Sequence, residues 1–217
     1  YYISYFVKIM NEKNSLGLDY CFKDYDNPIK LFREWFNEAE KTEINDPNAL
    51  ALATSTKSGI PSVRMVLLKD ITENSFIFYT NLNSKKSNDI KENPHGSMCF
   101  HWKSLLRQIR IIGTLDNVSD LDADTYYNSR SYGSRIGAWA SKQSTILKNR
   151  DELMKSIDDF KKKYPEEQSV PRPKHWSGWK LNPTEIEFWL DGENRIHQRL
   201  KYSKSPNGDW IRNLLSP

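Results

Sequence analysis

The sequence predicts a mainly β chain with flanking helices, arranged as a closed or nearly closed barrel. Three observations carry that expectation. Segments rich in β-branched and aromatic residues outnumber segments with helical periodicity. Most are joined by short turns, which favours antiparallel pairing. They also fall into two batches with helices between them, as in a barrel with helices packed outside.

The elements follow in order. Asn27-Pro28 opens a helix reaching about Thr42: Asn27 suits an N-cap, Pro28 suits the first turn, and Leu31, Phe32, Trp35, Phe36 and Ala39 form an apolar stripe. ALALATST, PSVRMVLLK and SFIFYTN read as strands, parted by Lys57-Ser58-Gly59 and Thr72-Glu73-Asn74. SKKSNDIKENP reads as a short helix stopped by Pro94, and GSMCFHW and RQIRIIGTLDNV as two further strands. Helical patterns return from Ser119 to about Tyr127, around Ser134–Ala140, and in RDELMKSIDDFKKKYP, which ends at Pro165. After the polar loop EEQSVPRPKHW come four predicted strands: SGWKLNP, EIEFWLDG, RIHQRLKY and DWIRNLL. No repeat, low-complexity tract or composition shift divides residues 27–217, which read as one domain behind an N-terminal extension, residues 1–26, expected to be partly disordered.

Composition narrows the function classes. A chain of 217 residues buries a real core, on the order of 70% of its unfolded surface. A net charge of +4, from 32 basic and 28 acidic residues, is too small to argue for nucleic acid, so anion binding must rest on local clusters. Cys21 and Cys99 have no metal-ligand spacing and suit a reducing, cytoplasmic setting. The opening YYISYFVKIM is too short to span a bilayer and lacks signal-peptide features. Met10 is a candidate start, with upstream sequence before it; a short strand or a tail is the alternative.

Basic and hydroxyl residues form five groups suited to anions. They are Arg64 with Lys69; Tyr79-Thr80-Asn81 with Ser84-Lys85-Lys86 at a strand end entering a helix; Arg107-Gln108; Tyr126, Arg130 and Ser134 with Gln143-Ser144; and Arg195, His197 and Arg199 downstream of Trp189. Arg64 and Lys69 have opposite strand parity and face different ways unless the strand bends. Residues 195, 197 and 199 would share one face of a regular strand. Each group has a plainer reading: exposed charge for Arg64 and Lys85-Lys86, core for Trp189, a surface histidine for His197. His95, His101 and His175 have no ligand spacing, and no Gly-rich phosphate loop, nucleophile elbow or zinc motif is present, so no metal is expected. Residue chemistry alone leads to a barrel with several anion-binding clusters.

The ordered set RMVLLKD, FYTN, SKK, RQIRIIG, SR…SRIGAWASKQS, FW…R.H.R and a terminal W…LSP resembles the pyridoxine (pyridoxamine) 5′-phosphate oxidase family over about residues 27–217. IGAWASKQS and RIHQR are the specific pieces; the others also occur in wider split-barrel flavoproteins. The resemblance implies an FMN-binding split β-barrel that forms a homodimer with FMN at the interface. It implies FMN contacts at Arg64, Met65, Val66, Leu67, Leu68, Lys69, Tyr79, Thr80, Lys85, Lys86, Gln108, Gln143, Ser144, Trp189 and Arg199. It implies substrate contacts at Lys69, Tyr126, Arg130, Ser134, Arg195 and His197, the last two acting at the reacting carbon. The implied reaction oxidises pyridoxamine or pyridoxine 5′-phosphate to pyridoxal 5′-phosphate, with O2 as acceptor and H2O2 released, plus ammonia from the amine.

Two departures from the family pattern stand out. Position 85 is Lys where Arg is expected, which removes bidentate geometry. The stretch IMNEKNSLGL keeps the Glu and Gly-Leu of a substrate-covering Arg-Arg-Glu-Tyr segment but lacks its Arg and Tyr. Two rivals remain: another split-barrel flavoprotein such as a flavin reductase-like protein, and a nucleic-acid-binding barrel with interleaved basic and aromatic residues.

Overall fold

The computed structural model describes residues 13–217; the expectations for YYISYFVKIM and Met10 lie outside them. Helix α1 (Pro28–Thr42) precedes strands β1 (Ala49–Ser55), β2 (Pro61–Leu67), β3 (Asp70–Ile71) and β4 (Phe76–Asn81). Helix α2 (Lys85–Glu92) leads to β5 (His95–Trp102) and β6 (Arg107–Asn117). Three helices follow, α3 (Asp120–Asn128), α4 (Tyr132–Ala140) and α5 (Arg150–Lys163), and then β7 (Trp176–Leu190), β8 (Gln198–Lys204) and β9 (Trp210–Leu214). The strands form one antiparallel sheet in the order β2-β1-β5-β6-β7-β4-β3, with β8 and then β9 added beside the second half of β7, on the same side as β4. The curled sheet is a half-barrel flanked by helices. It is more open than a closed barrel, because β2 and β3 at its ends are not paired with each other.

Helix α1 starts as its sequence requires: the Asn27 side chain accepts a hydrogen bond from the Ile29 N–H at 2.9 Å, with Pro28 in the first turn. Its apolar stripe plugs the curl of the sheet. The Phe32 ring meets Phe76 and Phe100 edge-on at 4.8 and 5.1 Å, and Trp35 meets Phe188 at 5.2 Å. All five rings are fully buried, so losing Phe32 or Trp35 to Ala would cost about 3–5 kcal/mol. Residues 13–26 pack beside this plug. Phe22 and Cys21 are buried, the Trp35 indole donates to the Cys21 carbonyl, and the Tyr202 hydroxyl donates to the Tyr25 carbonyl, both at 2.8 Å.

Two strand expectations need correction. SGWKLNP and EIEFWLDG are not two strands; they are the single fifteen-residue β7. Its first half lies between β6 and β4, and its second half between β6 and β8. Pro183 falls in the gap between these outer neighbours, where its missing N–H deserts no ladder. Opposite it, the pairing jumps from Ile112↔Glu185 to Gly113↔Pro183, which makes Thr184 the extra residue of a bulge. Gly113 permits this contact, since a Cβ there would lie 2.0 Å from the Asn182 carbonyl oxygen.

The second correction concerns RIHQRLKY, which becomes a strand only at Gln198. Glu193–Arg195 form a 3-10 turn, and Asn194 and Arg195 take left-handed φ values of 56° and 66°. Arg195, His197 and Arg199 therefore do not share one face of a strand.

The crossing yields a stability prediction. Gly113→Ala forces two backbones apart, at a cost of about 2–3 kcal/mol and a melting temperature roughly 4–12 °C lower. Gly137→Ala inside α4, where a methyl meets nothing within 4 Å, should leave it equal or higher. Calorimetry of both variants checks the contrast.

Candidate active site

A cleft of about 830 Å³ opens between the β2 edge, the ends of β3 and β4, the start of α2, and the α3–α4 region. One wall is β2 itself, where Val63, Met65 and Leu67 expose apolar side chains. The strand ends at Leu67, and the turn after it lets Arg64 and Lys69 line the same cleft despite their parity. At the opposite side, Tyr79 stacks on Tyr126 at 4.1 Å and on Trp176 at 5.6 Å, and the Arg130 guanidinium lies over Trp176 at 4.7 Å.

Two cationic groups line the cleft. In the first, the Lys86 ammonium is buried and donates to the Thr80 hydroxyl at 3.1 Å, the Ser84 hydroxyl at 3.2 Å and the Gln143 carbonyl at 3.1 Å. None of these partners carries charge. Burial, with the nearby Arg64 charge, pulls the Lys86 ammonium down to about 8. Arg64 is fixed by the Leu52 carbonyl at 3.1 Å and by the Thr54 and Ser62 hydroxyls at 2.8 Å; burial lowers its pKa against the opposing pull of Asp89. Asp89 is the buried counter-charge, accepting from Thr54 at 2.8 Å and Lys85 at 2.9 Å. Burial pushes its carboxyl up, but these hydrogen bonds and the Lys85 and Arg64 charges outweigh that and leave it low.

In the second group, the Arg130 pKa is lowered by burial against the pull of Tyr126 and Tyr127, and its Nη1 is buried without a hydrogen-bond partner. The Ser131 and Ser134 hydroxyls also line the cleft. An unpartnered buried guanidinium nitrogen costs free energy until an acceptor reaches it. Both therefore suit phosphate groups, and the residues present fit FMN.

The remaining expected site residues do not line this cleft. Gln108, Trp189 and Arg199 form a row across β6, β7 and β8, paired Gln108↔Trp189 and Trp189↔Arg199. The His197 ring sits 4.6 Å from Trp189, and its Nδ1 lies 3.0 Å from Asp191. Arg195 is exposed on the adjoining turn. Leu68 is a core residue beside the cleft. Arg107, read above as an anion-binding candidate, is instead buried over Trp35 and paired with Glu38 at 2.8 Å. Among the described residues, no group of three or more His, Cys, Asp or Glu could hold a metal.

Comparison with known proteins identifies the family. Residues 36–164 match pyridoxamine 5′-phosphate oxidase, and residues 176–217 match the pyridoxine 5′-phosphate oxidase C-terminal dimerisation region. The chain belongs to the pyridoxine/pyridoxamine 5′-phosphate oxidase family. It is 65% identical to the pyridoxine/pyridoxamine 5′-phosphate oxidase of Pelagibacter ubique over 96% of this chain and 100% of that one. It is 51% identical to that of Allorhizobium ampelinum over 90% and 95%. Among solved structures, PhzG from Burkholderia lata 383, in complex with tetrahydrophenazine-1-carboxylic acid, superposes with a TM-score of 0.86 at 28% identity, covering 96% of this chain and all of PhzG. The fold is also that of a pyridoxamine 5′-phosphate oxidase-related, FMN binding protein from Nostoc punctiforme, with a TM-score of 0.71 at 17% identity over 88% and 98%. As a member of this family, the protein is an FMN-binding oxidoreductase that dimerises.

Against the oxidase family's motifs, sequence reasoning missed Asp89, Trp176, Asp191 and Glu187. Lys85 and Asp89 stand four residues apart on a helix, a spacing that signals an ion pair. Trp176 had no local signal, because its partners come from β4 and α3.

Lys86 gives a pH prediction for the ligand-free protein. Its folded pKa of about 8 lies below its ordinary value, so from pH 8 to about 10.5 the unfolded chain binds the extra proton and stability from this group rises with pH. The stability of the wild type relative to Lys86→Met should climb across that window in denaturant titrations. A flat difference would mean that Lys86 is solvated.

Proposed function

We propose that the cleft takes two phosphorylated ligands side by side, FMN and a phosphorylated B6 vitamer. The observation that carries this reading is that two cationic groups, one around Lys86 and one around Arg130, line the same cleft. Arg64, Lys85 and Lys86, with Thr80, Gln143 and Ser144, receive the FMN phosphate. Arg130 and Ser134, with Lys69 and Tyr126, receive the substrate phosphate. Met65, Val66 and Leu67 give the flavin ring an apolar wall, and Tyr79 closes the opposite side.

The reaction is the oxidation of pyridoxamine or pyridoxine 5′-phosphate to pyridoxal 5′-phosphate. FMN, when bound, supplies the redox chemistry, passing two electrons from the C4′ carbon to O2 to give H2O2. The protein supplies position and charge. Arg195 and His197 orient the C4′ substituent. The Asp191 carboxylate lies 3.0 Å from His197 Nδ1 and the Gly192 N–H reaches the same nitrogen at 3.3 Å, which fixes the ring's orientation and leaves its Nε2 edge to meet the substituent. The identity of 65% to a B6 oxidase, against 28% to PhzG, favours the vitamer over a phenazine precursor.

Because Gln108, Trp189, Arg195, His197 and Arg199 lie outside the cleft of their own chain, we assign them to the cleft of the second subunit, with FMN at the interface. The two free cysteines support a reducing, cytoplasmic setting.

Turnover of pyridoxamine 5′-phosphate with stoichiometric H2O2 tests the reaction; a yellow protein without turnover on either vitamer would overturn it. Subunit mixing tests the shared site. Arg130→Ala and His197→Ala homodimers should each be nearly inactive. Random re-association should restore about a quarter of wild-type activity, since half the dimers are mixed and each has one intact site. No recovery would place both clusters in one subunit's site. The two ends of the 195–199 stretch also separate. Arg195→Ala should leave FMN affinity intact while lowering kcat/KM, whereas Arg199→Ala should weaken FMN roughly 10- to 150-fold, a charged hydrogen bond's worth. Equal FMN loss in both would refute the division.

A further inference from the structure

Arg199 is held from two sides by groups that the proposed ligand contacts do not use. Its Nε donates to Glu187 Oε1 at 2.8 Å, and its Nη1 donates to the Ser216 carbonyl at 2.8 Å. The Leu215 N–H in turn donates to the Arg199 carbonyl at 3.1 Å, which ties the C-terminal segment to the same residue. Glu187 is buried on β7, and its second oxygen accepts from Arg110 at 2.5 Å, so both carboxylate oxygens are occupied and the carboxylate cannot swing. A guanidinium pinned at Nε and at one Nη1 proton keeps one orientation, with the Nη2 edge left to donate elsewhere.

We infer that Glu187 and the Leu215–Ser216 backbone form a clamp that presents the Arg199 guanidinium to FMN, which makes both of them positioning elements of the cofactor site. The inference rests on the assignment of Arg199 to FMN made above. It gives the terminal Leu-Ser-Pro a role in holding a ligand-binding arginine from behind. A long, flexible side chain loses rotamer freedom when it binds; the clamp takes that loss during folding, before the cofactor arrives.

The test follows FMN release from the full-length holoenzyme by the return of flavin fluorescence on dilution. Glu187→Gln should weaken FMN by about tenfold, and deletion of residues 215–217, which lie at the surface, by roughly three- to tenfold. In an Arg199→Ala background, neither change should move FMN affinity beyond about twofold, because the clamp acts only through that side chain. A merely structural role would weaken FMN equally in both backgrounds, and that additive result overturns the inference. So does unchanged affinity in the deletion variant, which holds the test open should Glu187→Gln not fold. If Arg199→Ala itself leaves FMN affinity unchanged, the assignment of Arg199 fails first and the clamp falls with it. Loss in Arg199→Ala without loss in the clamp variants leaves the assignment standing and removes only the clamp.

Discussion

Strand β7 must serve two sets of neighbours, and the rest of the molecule is arranged around how it does so. Its first half pairs with β4 and carries Trp176 to the rim of the cleft. Its second half pairs with β8 and carries Glu187 and Trp189 into the other cluster. The change of partner happens at Pro183, and the Gly113–Asn182 contact is the close approach that lets β6 follow both halves. A side chain at 113 would separate the backbones, and the two clusters would lose their common scaffold. The fold thus holds two clusters of polar and aromatic residues apart on one chain, joined by a single strand.

The electrostatics share that division. In the cleft, cations outnumber their counter-charges: Arg64 and Lys85 share Asp89, Lys86 has only neutral partners, and Arg130 has an unpartnered nitrogen. Across β6–β8, cations are paired: Arg110 and Arg199 flank Glu187, and Lys201 faces Glu185. The first pattern is that of a site waiting for anions. The second is that of a site whose charges are already oriented. Burying an unpaired charge costs far more than burying a pair, so the buried Lys86 ammonium and the buried Arg130 nitrogen carry a cost that an anion in the cleft would relieve.

Much of the fold was legible from local signals. Asn27-Pro28 and the apolar stripe fix α1, and the short turns fix the β1–β2 hairpin and the β5–β6 pair, because in these elements near neighbours in sequence are neighbours in space. The failures share one cause. Pro183 reads as a strand breaker until the gap between β4 and β8 is known, and Arg107 reads as an anion ligand until Glu38 arrives from α1. RIHQRLKY alternates like a strand, but the 3-10 turn after Gly192 consumes its first residues: a Cβ at 192 would stand 2.0 Å from the Ile196 carbonyl oxygen. The site was legible as a set of residue types and as a family pattern. Its partition into two clusters was not, since that depends on which sheet edge each strand occupies.

The cost of the waiting cleft ties cofactor to fold. Lys86 is desolvated among neutral partners and pushed down toward neutrality, and Arg64 and Arg130 are lowered for the same reason. In each case the folded chain holds a charged form less willingly than the unfolded chain does. A phosphate dianion reverses that preference by giving each cation an acceptor and an opposite charge. The free energy withheld on folding is then returned on binding, and the stabilisation of the ligand-loaded state grows with the logarithm of ligand concentration over its dissociation constant.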